Sequence, residues 1–292
     1  MFTSAPQTPA PTSAPTPSEP TRNPTSVAPT SGPTPAPSLL PTSSPTFAGR
    51  DVVVNGYTCS ITPLGRLRSC SETSPGSGEA TLNLFENQIT SIMPDAFAGL
   101  SNVTVFTTLK LRSNQISSIT ADLNAFVGLS GLTILILYEN QISIIMPDTF
   151  AGLSSLRTLN IRDNQISSIS ADAFVGLSSL TRLDLRENQI SSIVADTFTG
   201  LSSLLRLYLN SNQISGIVAG TFAGLSSLTH LVLNNNQISG ILAGTFAGLS
   251  SLTTLHVNGN PTVNISCDWG IDTAVTTDIQ LPDGHTLDSI CN

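Results

Sequence analysis

The side chains able to do chemistry in this 292-residue chain are few, and most recur at matched positions. One series reads Thr158, Arg182, Arg206, His230 and Thr254, and the next reads Asn160, Asp184, Tyr208, Val232 and His256. A third reads Arg112, Tyr138, Arg162, Arg186, Asn210 and Asn234. Seven of the 11 Lys and Arg residues lie on or beside these positions: Lys110, Arg112, Arg157, Arg162, Arg182, Arg186 and Arg206. The acids Glu139, Asp163, Asp184 and Glu187 are interleaved with them. Arg, Tyr and His combine contact area with directional hydrogen bonds and are enriched where proteins bind, so this chemistry is that of recognition. Reaction chemistry finds no comparable foothold. His230 and His256 fall on neighbouring units two positions apart, with backbones about 8 Å distant. That is loose for a metal pair, and no third ligand accompanies them. There is no nucleophile elbow, phosphate loop, zinc-ligand spacing or dinucleotide fingerprint. The chain therefore reads as a non-enzyme with no cofactor and no metal site.

What must position these residues is a repeat. One copy runs Leu180-Thr-Arg-Leu183-Asp-Leu185-Arg-Glu-Asn188-Gln-Ile190-Ser-Ser-Ile193-Val-Ala-Asp-Thr-Phe198-Thr-Gly-Leu201-Ser-Ser, and the next begins at Leu204. Asparagines recur at Asn87, Asn114, Asn140, Asn164, Asn188, Asn212, Asn236 and Asn260, with a step of 24 from Asn140 onward. A fixed period of this size is the mark of a solenoid. Leu183 and Leu185 alternate with Arg182, Asp184 and Arg186, which predicts a short strand with one apolar and one polar face. No single unit can bury its Leu, Ile and Phe alone, so neighbours must stack. Each asparagine amide is placed to donate to and accept from backbone groups that stacking would otherwise leave unpaired. A second column, Phe97, Phe126, Phe150, Phe174, Phe198, Phe222 and Phe246, is expected to fill the side opposite the strands. Turn-forming pairs such as Asp196-Thr197 and Gly220-Thr221 precede these rings and suit a tight bend.

The pattern LxxLxLxxNxIxxIxxxxFxGLxx resembles the leucine-rich repeat in its 24-residue extracellular type, shared by Toll-like receptor ectodomains, Slit-like proteins and variable lymphocyte receptors. The resemblance covers roughly residues 80–262. It implies an α/β solenoid: a curved right-handed horseshoe with a parallel β-sheet on the concave face. Eight strands are expected, centred near Leu82–Leu84, Leu109–Leu111, Leu135–Leu137, Leu159–Ile161, Leu183–Leu185, Leu207–Leu209, Leu231–Leu233 and Leu255–Val257. Short turns and helical fragments are expected on the convex side. Two units are longer, with extra residues around Val103–Phe106 and Leu123-Asn124, which loops can absorb.

Four domains follow: a Thr/Ser/Pro-rich segment over 1–50, an N-terminal cap over 51–80, the repeats over 81–262 and a C-terminal cap over 263–292. The first segment cannot bury enough surface to offset the entropy of ordering and reads as a disordered stalk, either O-glycosylated or bare. Cys59, Cys70, Cys267 and Cys291 all lie outside the repeats. The resembled stack would separate the two pairs by roughly 35–40 Å, whereas a disulfide needs Cα atoms within about 7 Å. The pairing it implies is Cys59–Cys70 and Cys267–Cys291, one staple per cap, in an oxidising compartment. Four free thiols in a reducing one are the alternative. The run Asn260-Pro261…Cys267-Asp268-Trp269 is similar to the start of the family's C-terminal cap, which usually has four cysteines where this has two. Sequons at Asn102 and Asn264 are candidate N-glycosylation sites. Neither a signal peptide nor a membrane span is visible in this chain. Net charge of -8 argues against nucleic acid as a partner.

The last units scarcely differ over Ile190–Ser203, Ile214–Ser227 and Ile238–Ser251, yet diverge at the outward strand positions. Divergence on one face marks that face as the one put to use. The candidate ligand-binding residues on the concave face are Arg112, Tyr138, Glu139, Arg162, Arg182, Asp184, Arg186, Arg206, Tyr208, His230 and His256. The expected function is extracellular or cell-surface recognition or adhesion, with a protein or glycan ligand. The expected state is a monomer, with a dimer as the alternative. The competing reading is a structural wall or matrix glycoprotein in which the repeats act as a spacer.

Overall fold

The computed structural model describes residues 49–74, 76, 78–119, 125–261, 264–265, 268–271 and 278–282. All belong to one compact unit, Phe47–Asn292. The stalk up to residue 48, the insertion at Leu123-Asn124, His285 and the Cys267–Cys291 pairing lie outside the described residues.

The principal sheet has nine strands. Eight come from the repeats: Thr81–Asn83, Thr108–Lys110, Ile134–Ile136, Thr158–Asn160, Arg182–Asp184, Arg206–Tyr208, His230–Val232 and Thr254–His256. Each begins one residue earlier than its pattern predicts. All neighbours are parallel and in step with the repeat, so Leu159 faces Leu183, Leu207 follows, and Leu231 and Leu255 after it. The ninth strand, Asp278–Gln280, lies beyond the last repeat and pairs parallel with Thr254–His256. Along a second edge, two-residue parallel ladders join successive units, as at Ile144–Ile145 with Ser168–Ile169. These ladders are not evident in the hydrophobic pattern, because each holds only one inward isoleucine.

The region expected to be an N-terminal cap forms a three-strand antiparallel meander, Arg50–Val54, Tyr57–Ile61 and Arg66–Glu72, whose last strand continues parallel into Ser91–Ile92 and Ser118–Ile119. Cys59 and Cys70 face each other across the meander and are joined by a disulfide. The insertion around Val103–Phe106 is not merely looped out. Its Phe106 is buried and packs on the Tyr57 ring, centroids 5.6 Å apart, so it seals the cap to the first repeat.

The described residues contain no helix. The α/β class with helical fragments is therefore corrected to a parallel-sheet β-solenoid whose opposite side is built of turns. The cause is local: the return path of each unit passes through left-handed backbone at Asp196 (φ 64°) and Gly200 (φ 87°), and equivalently at Gly220 and Gly224, which no α-helix can include. Between these points the Phe column forms one stack from Phe97 to Phe246, with centroids 5.9–6.2 Å apart and rings within 20° of parallel. Trp269 closes it, buried and 6.4 Å from Phe246.

The asparagine column supplies the polar half of the core. Asn188 donates through Nδ2 to the carbonyls of Ile161 (3.1 Å) and Leu185 (3.0 Å), and its Oδ1 accepts from the Ile166 amide at 3.0 Å. Asn114, Asn140, Asn164, Asn212, Asn236 and Asn260 repeat this geometry. The residue before each asparagine is left-handed: Glu86, Ser113, Glu139, Asp163, Glu187, Ser211, Asn235 and Gly259. That twist turns the amide inward.

Candidate functional site

The outward residues of the principal sheet stand in register rows. Thr158, Arg182, Arg206, His230 and Thr254 are consecutive neighbours across strands, as are Asn160, Asp184, Tyr208, Val232 and His256. Because adjacent strands lie about 4.8 Å apart, long side chains from neighbouring units must touch.

Their densest meeting point is Asp184. It is fully buried although it lies on the polar face. Arg186 donates to it through Nε (2.9 Å) and Nη2 (2.7 Å), and Arg182 through Nη2 at 3.2 Å. The two guanidinia also flank the Tyr208 ring, at 4.6 Å for Arg182 and 5.5 Å for Arg186. Donating to Asp184 raises the pKa of Arg186 further. Charge-assisted, nearly bidentate pairing of this kind fixes geometry more than it adds stability when the arginines are a third exposed. Asp184, expected among the contact residues, is buried here and positions its neighbours.

A second cluster alternates aromatics and cations. Arg112 lies 4.8 Å from the Phe85 centroid and 5.8 Å from that of Tyr138, whose ring Arg162 also covers at 4.7 Å. Phe85 escaped the sequence reading. The signal was an aromatic immediately after Leu84, outside the Phe column and at the head of the Arg112–Tyr138 series. Arg162 pairs with Asp163 at 3.3 Å, and Glu187 approaches it at 4.0 Å. The long contact with Arg162 should lower the Glu187 pKa, yet that pKa is raised, first by a hydrogen bond with Asp163, then by burial and by the Asp163 charge. Contact with a second carboxylate outweighs an ion pair at its distance limit. Glu139 is exposed, sits in the left-handed position and accepts from the Ser113 hydroxyl.

Arg206 and His230 differ from the rest. Arg206 is exposed, and among the described residues it makes no ion pair. His230 meets the Thr229 hydroxyl through Nδ1 at 2.8 Å. Its pKa is lowered by burial first and then by Arg206, with Asp278 opposing. His256 pairs with Asp278 of the ninth strand at 2.9 Å. Asp278 lies outside every repeat, so nothing in the periodicity pointed to it. No group of three or more metal-ligating side chains occurs among the described residues.

Of the sequons, Asn102 is exposed in a turn. The backbone of Asn264 pairs with the Gly240–Ile241 strand. No described helix is long and apolar enough to cross a membrane.

A family profile described as leucine rich repeat matches residues 104–166, 154–214 and 205–261. No curated protein matches the chain. Among solved structures, the crystal structure of an internalin from Listeria monocytogenes is similar at 29% identity and a TM-score of 0.49, over 75% of this chain and 59% of that one. The chain thus spans less than two thirds of that protein's length.

Proposed function

The chain belongs to the leucine-rich repeat family, and from that premise we propose that it is a non-enzymatic recognition module that engages a macromolecular ligand on the outward face of its principal sheet. Leucine-rich repeats are a common protein-binding architecture whose stacking creates extended recognition surfaces. The observation that carries the reading is the pre-organisation of that face. Arg112, Arg162, Arg182 and Arg186 are each held against an aromatic ring, so little rotamer entropy remains to be lost on binding. A concave sheet is supported by spacing: the Phe centroids repeat every 5.9–6.2 Å, against about 4.8 Å between strands. Stacked units that are wider on one side curve toward the other. An extracellular setting is supported by the Cys59–Cys70 disulfide, which persists in oxidising compartments.

The test compares Arg182→Ala plus Tyr208→Ala with Ser226→Ala plus Ser227→Ala, after a ligand has been captured on the immobilised wild-type chain. The strand-face pair should weaken binding by about 2 kcal/mol or more, as central Arg and Tyr anchors do, and the serine pair should leave it unchanged. Equal affinities would refute the assignment.

The spacer reading draws on a different observation. The turn side is charge-free over residues 213–229 and 237–253 and nearly identical between copies, as a purely architectural surface would be. A folded chain that captures no macromolecule under any condition would favour it.

A further inference from the structure

We propose that the row formed by Arg182, Arg206 and His230 docks an acidic polypeptide segment, a cluster of Asp and Glu side chains on a partner protein. This deepens the strand-face reading and rests on it.

The first observation is uncompensated charge. Arg182 faces Arg206 on adjacent parallel strands, and His230 is the next neighbour in the row. Like charges directly opposite, as the two arginines are, destabilise a sheet. Asp184 is the only carboxylate among the described residues that pairs with this group; it is buried and shared by Arg182 and Arg186. Two guanidinia therefore share one buried carboxylate, and Arg206 meets none among the described residues. A carboxylate arriving from solvent above Arg206 completes the arrangement.

The second observation is what the aromatics do. Tyr208 lies against the guanidinia of Arg182 and Arg186, and Tyr138 against those of Arg112 and Arg162. Sugar rings are gripped on open aromatic faces, and here guanidinia take up aromatic face. What remains outward are guanidinium edges, whose forked donors match carboxylates.

The third observation is the rim. Glu139, Asp163 and Glu187 line the loops at one end of the strands, and net charge over the whole chain is -8. A long, uniformly anionic glycan laid across the face would meet these acids. A protein presenting a local acidic cluster meets the arginine row alone. Thr158 and Thr254 bound the row with neutral hydroxyl-bearing side chains.

The experiment uses the full chain and fluorescein-labelled deca-aspartate, with deca-asparagine and a heparin fragment as comparators, read by anisotropy at low salt and neutral pH. Wild type should bind deca-aspartate and not deca-asparagine. Arg206→Gln should weaken that binding about tenfold, while Arg68→Gln, an exposed cation of the N-terminal cap, should leave it unchanged. If Arg206→Gln melts early, Arg206→Lys supplies the check, since it keeps the charge and should retain most of the binding. Indifference between the two peptides, or equal weakening by Arg68→Gln, overturns the proposal. Heparin binding through Arg206 without deca-aspartate binding also overturns it but leaves the strand-face reading standing. That reading fails separately, if the Arg182 and Tyr208 double variant keeps its captured ligand.

Discussion

Replacing Asn188 by alanine isolates what the asparagine column contributes. The side chain holds the Ile166 amide and the carbonyls of Ile161, Leu185 and Arg186. The four losses are unequal. The Ile161 carbonyl also accepts from Asn164, that of Leu185 also from Asn212, and that of Arg186 also from the Asp163 amide, so each keeps a partner. The Ile166 amide keeps none and becomes a buried unpaired donor, which costs about 1–3 kcal/mol. Three weakened carbonyls bring the expected loss to about 2–4 kcal/mol. For a folded unit of this size that is a fall in Tm of roughly 4–16 °C. Circular dichroism should be followed together with the emission of Trp269, the single tryptophan, since repeat arrays can unfold from one end. Asn87→Ala is the internal control: it heads the column, and its side chain donates only to the nearby Phe85 carbonyl, so a much smaller change is expected. Asn188→Asp should be destabilised too, because a carboxylate can still accept from Ile166 but cannot donate to the carbonyls. Those oxygens would raise its folded pKa above the unfolded value, so its stability should fall as pH rises through the folded pKa. A Tm change for Asn188→Ala no larger than that of exposed Ser202→Ala would refute the reasoning.

Phe198→Ala, which empties one place in the stack between Phe174 and Phe222, should cost about 3–5 kcal/mol, measured by urea unfolding; a loss equal to that of exposed Val194→Ala would show that the column is not core. Ser211→Gly should stabilise by up to about 1 kcal/mol, because Ser211 is left-handed where the last repeat already has Gly259; an unchanged or lower Tm would contradict this. His230 has a folded pKa below the ordinary value, so its contribution is present above the unfolded pKa and lost as pH falls through the folded one; the pH dependence of Tm near and below pH ~6 should flatten in His230→Gln, and an unaltered profile would contradict the assignment.

The repeats were legible because everything that defines them is local and repeated: alternation places Leu183 and Leu185 inward and Arg182 outward, and a 24-residue step brings each Asn and Phe onto the next. Local signals also placed the turn before Phe198, since Asp196 and Gly220 tolerate left-handed backbone. The sequence by itself thus determined the stack, its inward columns and the face on which its cations lie. Tertiary structure alone decided what those cations do. Asp184 reads as one more exposed acid until guanidinia from two positions close over it, and Tyr208 reads as an open ring until arginines of the neighbouring strand pack against it. Arg206 was indistinguishable from Arg182 and Arg186 in the pattern; it stands apart because its neighbours in register hold no free carboxylate. The ninth strand at Asp278–Gln280 and the closing of the Phe stack by Trp269 were equally hidden, because they join segments with no common period. Periodicity specifies which side of the chain a residue occupies, but its contacts come from the adjacent strands, and the outward residues of those strands do not repeat.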